Sequence, residues 1–309
     1  MNDEVAGKKA DLNQWQVWLL AARPKTLPAA ASPVILGSSV AFADGGFSIF
    51  PALAALLAAL LLQIGANLAN DVFDYYKGTD AGERLGPVRV TQSGLLDPEE
   101  VVWGMGITFG MAILLGIYLT AVAGWPVVLI GLASVLAAVA YTGGPFPFGY
   151  YGLGDLFVFL FFGPVAVCGT YFVQVGEFSR LALWSSLPMG FLITAILVVN
   201  NLRDIVTDRA VGKITLAVRL GDQGARLEYL LCLVASYMVP LWLWLGGLTI
   251  PWVNLAWLSL PLAISMVGMI WRYEGRALNN TLAGTGRLTL VFAVLFSLGL
   301  VLPALFPNI

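Results

Sequence analysis

The sequence predicts an all-α polytopic membrane protein: about nine transmembrane helices around a central cavity, with the N-terminus cytoplasmic. Three observations carry that reading. Hydrophobic residues make up 59% of the 309 and charged residues only 11%, against about 25% charged in an ordinary soluble domain. Mean hydropathy is +0.85. No polar stretch is long enough to hold a separate soluble domain. The chain therefore reads as a cytoplasmic tail and interfacial helix at 1–22, followed by a single membrane domain at 23–309.

Taken in order, Lys8 and Lys9 precede an apolar patch, Trp15 to Ala22, that runs into Arg23-Pro24-Lys25. The patch is short and has no small-residue cleavage site after it, so it is not expected to be a cleaved signal. Residues 12–22 read instead as an interfacial helix with Trp15 and Trp18 at headgroup level. A span takes about 20 mostly apolar residues. That ruler places spans at 26–43, 49–73, 99–122, 125–142, 154–175, 182–203, 225–246, 250–271 and 287–306. The 34 Gly and 16 Pro recur inside them, as membrane helices tolerate, and small residues let helices approach closely. With nine spans, all but Arg180 of the 16 Lys and Arg fall on the N-terminal side. That bias marks the side as cytoplasmic and fits an integral protein of a bacterial inner membrane. The outer loops are short (ADGG, AGWP, GEFSR, GGLTI), while the inner loops are long and hold nearly all the polar chemistry.

Some chemistry is excluded at once. The chain has no His, which removes a His base, a His metal ligand and a Ser-His-Asp triad. Cys168 and Cys232 both lie in apolar runs without metal-ligand spacing and read as core packing. A net charge of −2 says little about partners, and no nucleic-acid partner is expected.

Two polar motifs stand out. The second span closes on GANLANDVFDYYKGTD, Gly65 to Asp80. Asn67, Asp71 and Asp74 are spaced i, i+4, i+7 and share a helical face; Asn70 borders it and Asp80 follows Gly78. Acids this close at a membrane boundary repel one another and call for a cation. Their hard oxygens suit Mg²⁺ or Ca²⁺; a solvated helix end is the plainer reading. The sixth span closes on Asn200 to Asp208, where Asn200, Asp204 and Asp208 repeat at four-residue intervals beside Asn201. Asn67–Asp71 and Asn200–Asp204 share the N-x-x-x-D spacing, at the same end of two even-numbered spans. The partial negative charge of a helix C-terminus further favours a cation there.

Positive charge follows each motif. Lys77, Arg84 and Arg89 lie in the loop after the first, and Arg209, Lys213 and Arg219 after the second. Lys77, Arg89 and Lys213 come closest to the acids. Such residues either reflect the positive-inside bias or join Mg²⁺ in holding a diphosphate. A diphosphate at a membrane surface suggests polyprenyl diphosphate, whose tail belongs in lipid. Its departure leaves an allylic cation that aromatic faces stabilise and an electron-rich acceptor attacks.

The two motifs, NLANDVFDYYKGTD and NNLRDIVTDRAVGKITLAVRLG, resemble those of the UbiA-type intramembrane aromatic prenyltransferases. RPKTLPAAASPVILGS (Arg23–Ser38), GPVRVTQSGLL (Gly86–Leu96) and YTGGPFPFGYYGLGD (Tyr141–Asp155) are similar to that family's menaquinone-pathway branch. The resemblance covers about residues 23–300, the last two or three helices by hydropathy only. It implies nine helices, two cytoplasmic Asp-rich caps over a lipid-facing chamber, and Mg²⁺-dependent prenylation of 1,4-dihydroxy-2-naphthoate with loss of CO₂ and diphosphate. It also implies that Asn67, Asp71, Asp74, Asp204 and Asp208 hold Mg²⁺–diphosphate, with Asn70, Asp80, Asn200 and Asn201 beside them; Lys77, Arg84, Arg89 and Lys213 are placed on the diphosphate by their position next to the acids. Lys25 either holds the acceptor carboxylate or anchors the first span. Tyr141 faces the cation or the acceptor, or belongs to an interfacial belt. Residues 143–154 either cover the site or simply connect. Another aromatic acceptor such as 4-hydroxybenzoate stays open, as does a cation-coupled transporter, although a conduit would need polar groups through the midplane. A CDP-alcohol phosphotransferase would carry a D-G-x-x-A-R signature, which is absent.

Overall fold

The computed structural model describes residues 12–78 and 85–306; Lys8, Lys9, Asp80 and Arg84 lie outside the described residues. Helix α1 (Gln14–Ala22) opens with a reciprocal cap. Asn13 Oδ1 accepts from the Gln16 N–H at 2.9 Å, and Gln16 Oε1 accepts from the Asn13 N–H at 3.0 Å, which satisfies two donors the helix leaves over. Val17 and Ala21 pack into a small cluster with Leu68, Val72, Val90, Leu96 and Val101. Trp15 is exposed, as the interfacial reading requires. Trp18 is not: it lies on Gly104, where a Cβ would come within 2.6 Å of its ring.

The helix ends at Arg23, whose φ of 52° is the single positive value outside glycine among the described residues. A left-handed arginine costs on the order of 1 kcal/mol or more and persists where its surroundings over-determine it. The turn leads through a 3-10 segment, Pro24–Thr26, into α2 (Leu27–Ala43). Then come α3 (Ile49–Tyr76), α4 (Pro98–Ala123) and α5 (Pro126–Ala140). The next span is α6 (Gly154–Leu160) and α7 (Ala166–Val175), joined by a π segment, Phe161–Val165. Pro164 lies inside that segment and has no N–H to close a regular turn. Helix α8 (Arg180–Arg203) is followed by a short cap helix α9 (Ile205–Ala210), then α10 (Leu216–Leu245). A 3-10 stretch, Pro251–Ser259, leads into α11 (Leu260–Arg272), and α12 (Leu278–Leu305) ends the bundle.

Among the described residues, eight helices are long and apolar enough to cross a membrane. Helix α5, with 15 residues, is about 22 Å long, against a hydrocarbon core of roughly 30 Å; counting it gives the nine elements expected. Two boundaries differ from expectation. Helix α10 begins at Leu216, and Gly221, at φ 74° and ψ 178°, sets its first turn apart from the membrane part. Helix α12 begins at Leu278 rather than 287 because its polar residues face protein: Thr281 and Thr285 are fully buried.

Helix α8 packs against α10, α12 and α6, and α12 closes back on α2. The main core lies among these helices. A Cβ on Gly163 would lie 2.9 Å from Gly190 Cα, so glycines at this crossing let two backbones touch. Helices α3, α4 and α5 pack on one another and on the α2–α7 side, leaving a cavity between the two groups.

Candidate active site

The cavity has a volume of about 810 Å³ and two chemically distinct regions. Its shaft is walled by small and apolar side chains, among them Ala55, Ala58 and Ala59 on α3, Gly116 on α4, and Gly131 and Val135 on α5. Its head, where α3 and α8 end, is polar: Asn70, Asp74, Asn200, Asn201, Asp204 and Asp208 all line it, with Arg89 and Lys213. The charged residues are thus confined to one end; along the shaft the hydroxyls of Thr120 and Ser134 donate back to carbonyls of their own helices, which is not the lining of an ion conduit.

The face of α3 turned to the cavity differs from the expected one. Asn67, Asn70 and Asp74 line it and Asp71 does not. At about 100° per residue, positions 67, 70 and 74 form a single stripe and 71 falls to its edge. Asp71 is 2% exposed. Its Oδ2 accepts from the Val90 N–H and its Oδ1 from the Thr91 N–H, both at 3.1 Å. Arg23 stands 3.8 Å from it. Asp71 therefore ties down the segment that carries Arg89. Asn67 is also tethered: its Nδ2 donates to the Ala22 carbonyl and to Thr26 Oγ1, both at 3.0 Å. The pair that matches Asn200–Asp204 across the cavity is Asn70–Asp74.

Asp74 is paired with Arg89 and accepts from the Tyr150 hydroxyl at 2.6 Å. Asn70 accepts from Thr142 Oγ1 at 2.9 Å. Across the head, Arg203 grips both oxygens of Asp204, and Lys213 Nζ lies 3.2 Å from Asp208 Oδ1. The other Asp208 oxygen, Oδ2, is buried without a hydrogen-bond partner. Burial raises the Asp208 carboxyl above its ordinary range; Lys213 opposes this, and Asp204 and Asp74 add to it. Lys77 does not line the cavity; it donates to the Thr142 carbonyl. Desolvation lowers its ammonium pKa, with Asp74 opposing.

Tyr150 was not expected here. Besides its bond to Asp74, its ring has Lys77 Nζ at 4.6 Å and Lys213 Nζ at 5.6 Å from the centroid, both within cation–π range. Its carbonyl accepts from the Ile214 N–H at 2.9 Å. The 143–154 segment is thus built into the site, bonding to both motifs. Tyr141 lines the cavity, wedged against Gly149 and Gly154, where a Cβ would come within 2.9 Å of its ring and 3.1 Å of its hydroxyl respectively. Below it runs an aromatic series: Tyr141 edge-on to Phe148, Phe148 stacked on Phe157 at 4.0 Å, and Phe157 parallel to Phe161. Lys25 and Arg23 line the same cavity from the start of α2.

The donor set suits Mg²⁺. Carboxylate and amide oxygens from two helix ends converge on one space, and Asp208 keeps a buried oxygen unmatched. Among the described residues no three carboxylates gather closely enough to hold an ion alone. That is the pattern of Mg²⁺ bound by one or two carboxylates plus substrate phosphates.

Known proteins share this sequence and shape. The chain is 38% identical over 299 residues to the 1,4-dihydroxy-2-naphthoate octaprenyltransferase of Escherichia coli (strain K12), covering 94% of this chain and 97% of that one. It is 38% identical over 278 residues to the protein of the same name from Mycobacterium tuberculosis, covering 90% and 94%. Its fold matches a UbiA homolog from Archaeoglobus fulgidus bound to GPP and Mg²⁺, with a TM-score of 0.66 at 14% identity over 92% of this chain and 99% of that one. Residues 30–282 match the UbiA prenyltransferase family across most of the membrane domain, and the chain belongs to that family.

Proposed function

We propose that this protein transfers a polyprenyl group from polyprenyl diphosphate to 1,4-dihydroxy-2-naphthoate, releasing diphosphate and CO₂, in menaquinone biosynthesis. One observation carries the reading: two oxygen-bearing helix ends, Asn70–Asp74 and Asn200–Asp204–Asp208, meet at the head of a cavity whose shaft is uncharged and mainly apolar. A lipid diphosphate has that same division of character. The basic residues, concentrated on the side where the site lies, support a cytoplasmic face of a bacterial inner membrane.

Asn70, Asp74, Asp204 and Asp208 would hold Mg²⁺, which when bound neutralises the diphosphate and makes it a better leaving group. Arg89 and Lys213 stand at the head to take phosphate oxygens. Asp71 and Asn67 act one step back, fixing the loop and the start of α2. The prenyl C–O bond breaks with its electron pair leaving on diphosphate. Tyr141, Phe148 and Phe157 present aromatic faces and edges along the cavity, where positive charge builds on the allylic carbons. The ring carbon bearing the carboxylate attacks. The electron pair of the carbon–carboxylate bond then restores aromaticity as CO₂ departs, so the step needs no separate base. Lys25 and Arg23 supply positive charge for the acceptor carboxylate.

Membranes holding the protein, given polyprenyl diphosphate, dihydroxynaphthoate and Mg²⁺, should release diphosphate and yield a product whose mass equals ring plus tail less CO₂. EDTA should stop both. Release unaffected by EDTA, or a product that keeps the carboxylate, would refute the proposal.

A further inference from the structure

The first turn of α12 brings a polar side chain to both halves of the site. Arg203, the last residue of α8, is 3% exposed. Besides gripping Asp204, it donates from Nη2 to Asn200 Oδ1 at 2.9 Å and from Nη1 to Asn279 Oδ1 at 2.8 Å. Asn279 donates in turn from Nδ2 to the Leu85 carbonyl at 2.8 Å. Leu85 opens the segment that reaches Arg89, the partner of Asp74. That segment rests on the guanidinium itself: a Cβ at Gly86 would lie 2.7 Å from Arg203 Nη2. A bonded path therefore runs from Asp204 through Arg203, Asn279 and the Leu85–Arg89 backbone to Asp74.

We propose that Asn279 is a positioning residue that sets the separation of the two acidic helix ends. It does not line the cavity and acts through Arg203 and Leu85. The inference rests on the Mg²⁺–diphosphate reading above. Mg²⁺ requires near-octahedral geometry with oxygens at about 2.0–2.1 Å, so a bridge between two helix ends tolerates little drift in their spacing. An amide fits the post because it offers an acceptor to Arg203 and a donor to Leu85 in one planar group. Aspartate keeps the first contact and loses the second; alanine loses both.

The test is thermal stabilisation of the purified full-length protein in detergent, titrated with Mg²⁺ at fixed geranyl diphosphate. Wild type should show a saturable Mg²⁺-dependent rise in Tm. Asn279→Ala should raise the Mg²⁺ midpoint about 10-fold, the scale for residues that orient metal ligands. Asn279→Asp should raise it less, Gly86→Ala should raise it, and Asn280→Ala, at an exposed neighbouring position, should leave it alone. A wild-type midpoint in Asn279→Ala overturns the inference while leaving the reading of the site standing. If Asn279→Ala yields no folded protein, Asn279→Asp decides: an increased midpoint supports the inference and an unchanged one overturns it. No Mg²⁺ effect in wild type would remove the reading of the site and this inference with it. In turnover, Asn279→Asp should raise KM for the prenyl diphosphate and not for the aromatic acceptor; the reverse would also overturn it.

Discussion

Removing one oxygen atom from Tyr150 tests how far the site depends on orienting Asp74. Tyr150→Phe keeps the ring, with Lys77 and Lys213 near its faces, and deletes only the hydroxyl that donates to Asp74 Oδ1 at 2.6 Å. A hydrogen bond to a charged group contributes roughly 1.5–3 kcal/mol, and each 1.36 kcal/mol is about tenfold in rate. The expected loss in kcat/KM for the prenyl diphosphate is therefore on the order of 10- to 100-fold, the range found for groups that orient metal ligands. The KM for the aromatic acceptor should not move. Tyr150→Leu should lose more, because it also removes an aromatic face worth about 0.5–2 kcal/mol to a nearby cation. The assay is diphosphate release at varied prenyl diphosphate, with each variant's Tm measured alongside. Wild-type kcat/KM in Tyr150→Phe would refute the reasoning, as would a loss wholly matched by a fall in Tm.

Other variants separate anchoring from ligation and test packing. Asp71→Asn should keep one acceptor for the Val90 and Thr91 N–H groups and lose the charge facing Arg23. Thermal unfolding should register a cost of about 1–3 kcal/mol, with part of the activity kept, whereas Asp74→Ala and Asp204→Ala should abolish turnover. For Asp208 the folded pKa lies above the unfolded one, so the native protein holds the extra proton between those values. The contribution of Asp208 to stability without Mg²⁺ is then greatest below the unfolded pKa, about 4, and is lost as pH rises through the folded value. Asp208→Asn should flatten that slope in pH-dependent unfolding. Because Mg²⁺ competes with the proton, more Mg²⁺ should move the acid limb of activity to lower pH. Gly163→Ala places a Cβ 2.9 Å from Gly190 Cα and should destabilise by about 1–3 kcal/mol, read as a lower Tm in detergent.

The architecture and the meeting of the two motifs were legible because both rest on local periodicity. Apolar runs set the spans, and four-residue spacing put the oxygens of each motif on one face. What local pattern could not decide was which of two overlapping N-x-x-x-D pairs faces inward. Asn67–Asp71 and Asn70–Asp74 are equivalent as strings. The choice is made by backbone N–H groups about twenty positions along the chain, Val90 and Thr91, which claim Asp71. Tyr150 was hidden for the same reason: its segment is Gly- and Pro-rich, and its partners Asp74 and Ile214 are distant in sequence. The start of α12 was missed because hydropathy counts Asn279, Thr281 and Thr285 as polar without knowing that protein surrounds them.

The four acids are not equivalent, and their protein partners rank them. Each has a cation at hand: Arg23 for Asp71, Arg89 for Asp74, Arg203 for Asp204 and Lys213 for Asp208. This countercharge lets four carboxylates sit together where burial penalises charge. Asp71, with two backbone N–H bonds as well, has the most to lose by turning to an ion. Asp204 is gripped at both oxygens by a guanidinium fork, which a point charge cannot match. Asp208 is held at one oxygen by a lysine and keeps the other unmatched. An arriving cation therefore displaces least at Asp208. Lys213, on a flexible stem, is the cation freest to pass from carboxylate to diphosphate as the donor enters. On this ordering, Lys213→Ala should tighten Mg²⁺ alone while weakening Mg²⁺ with diphosphate. An Arg203 change should weaken both, and the same loss of both in Lys213→Ala would show that the lysine holds the carboxylate instead of serving the phosphate.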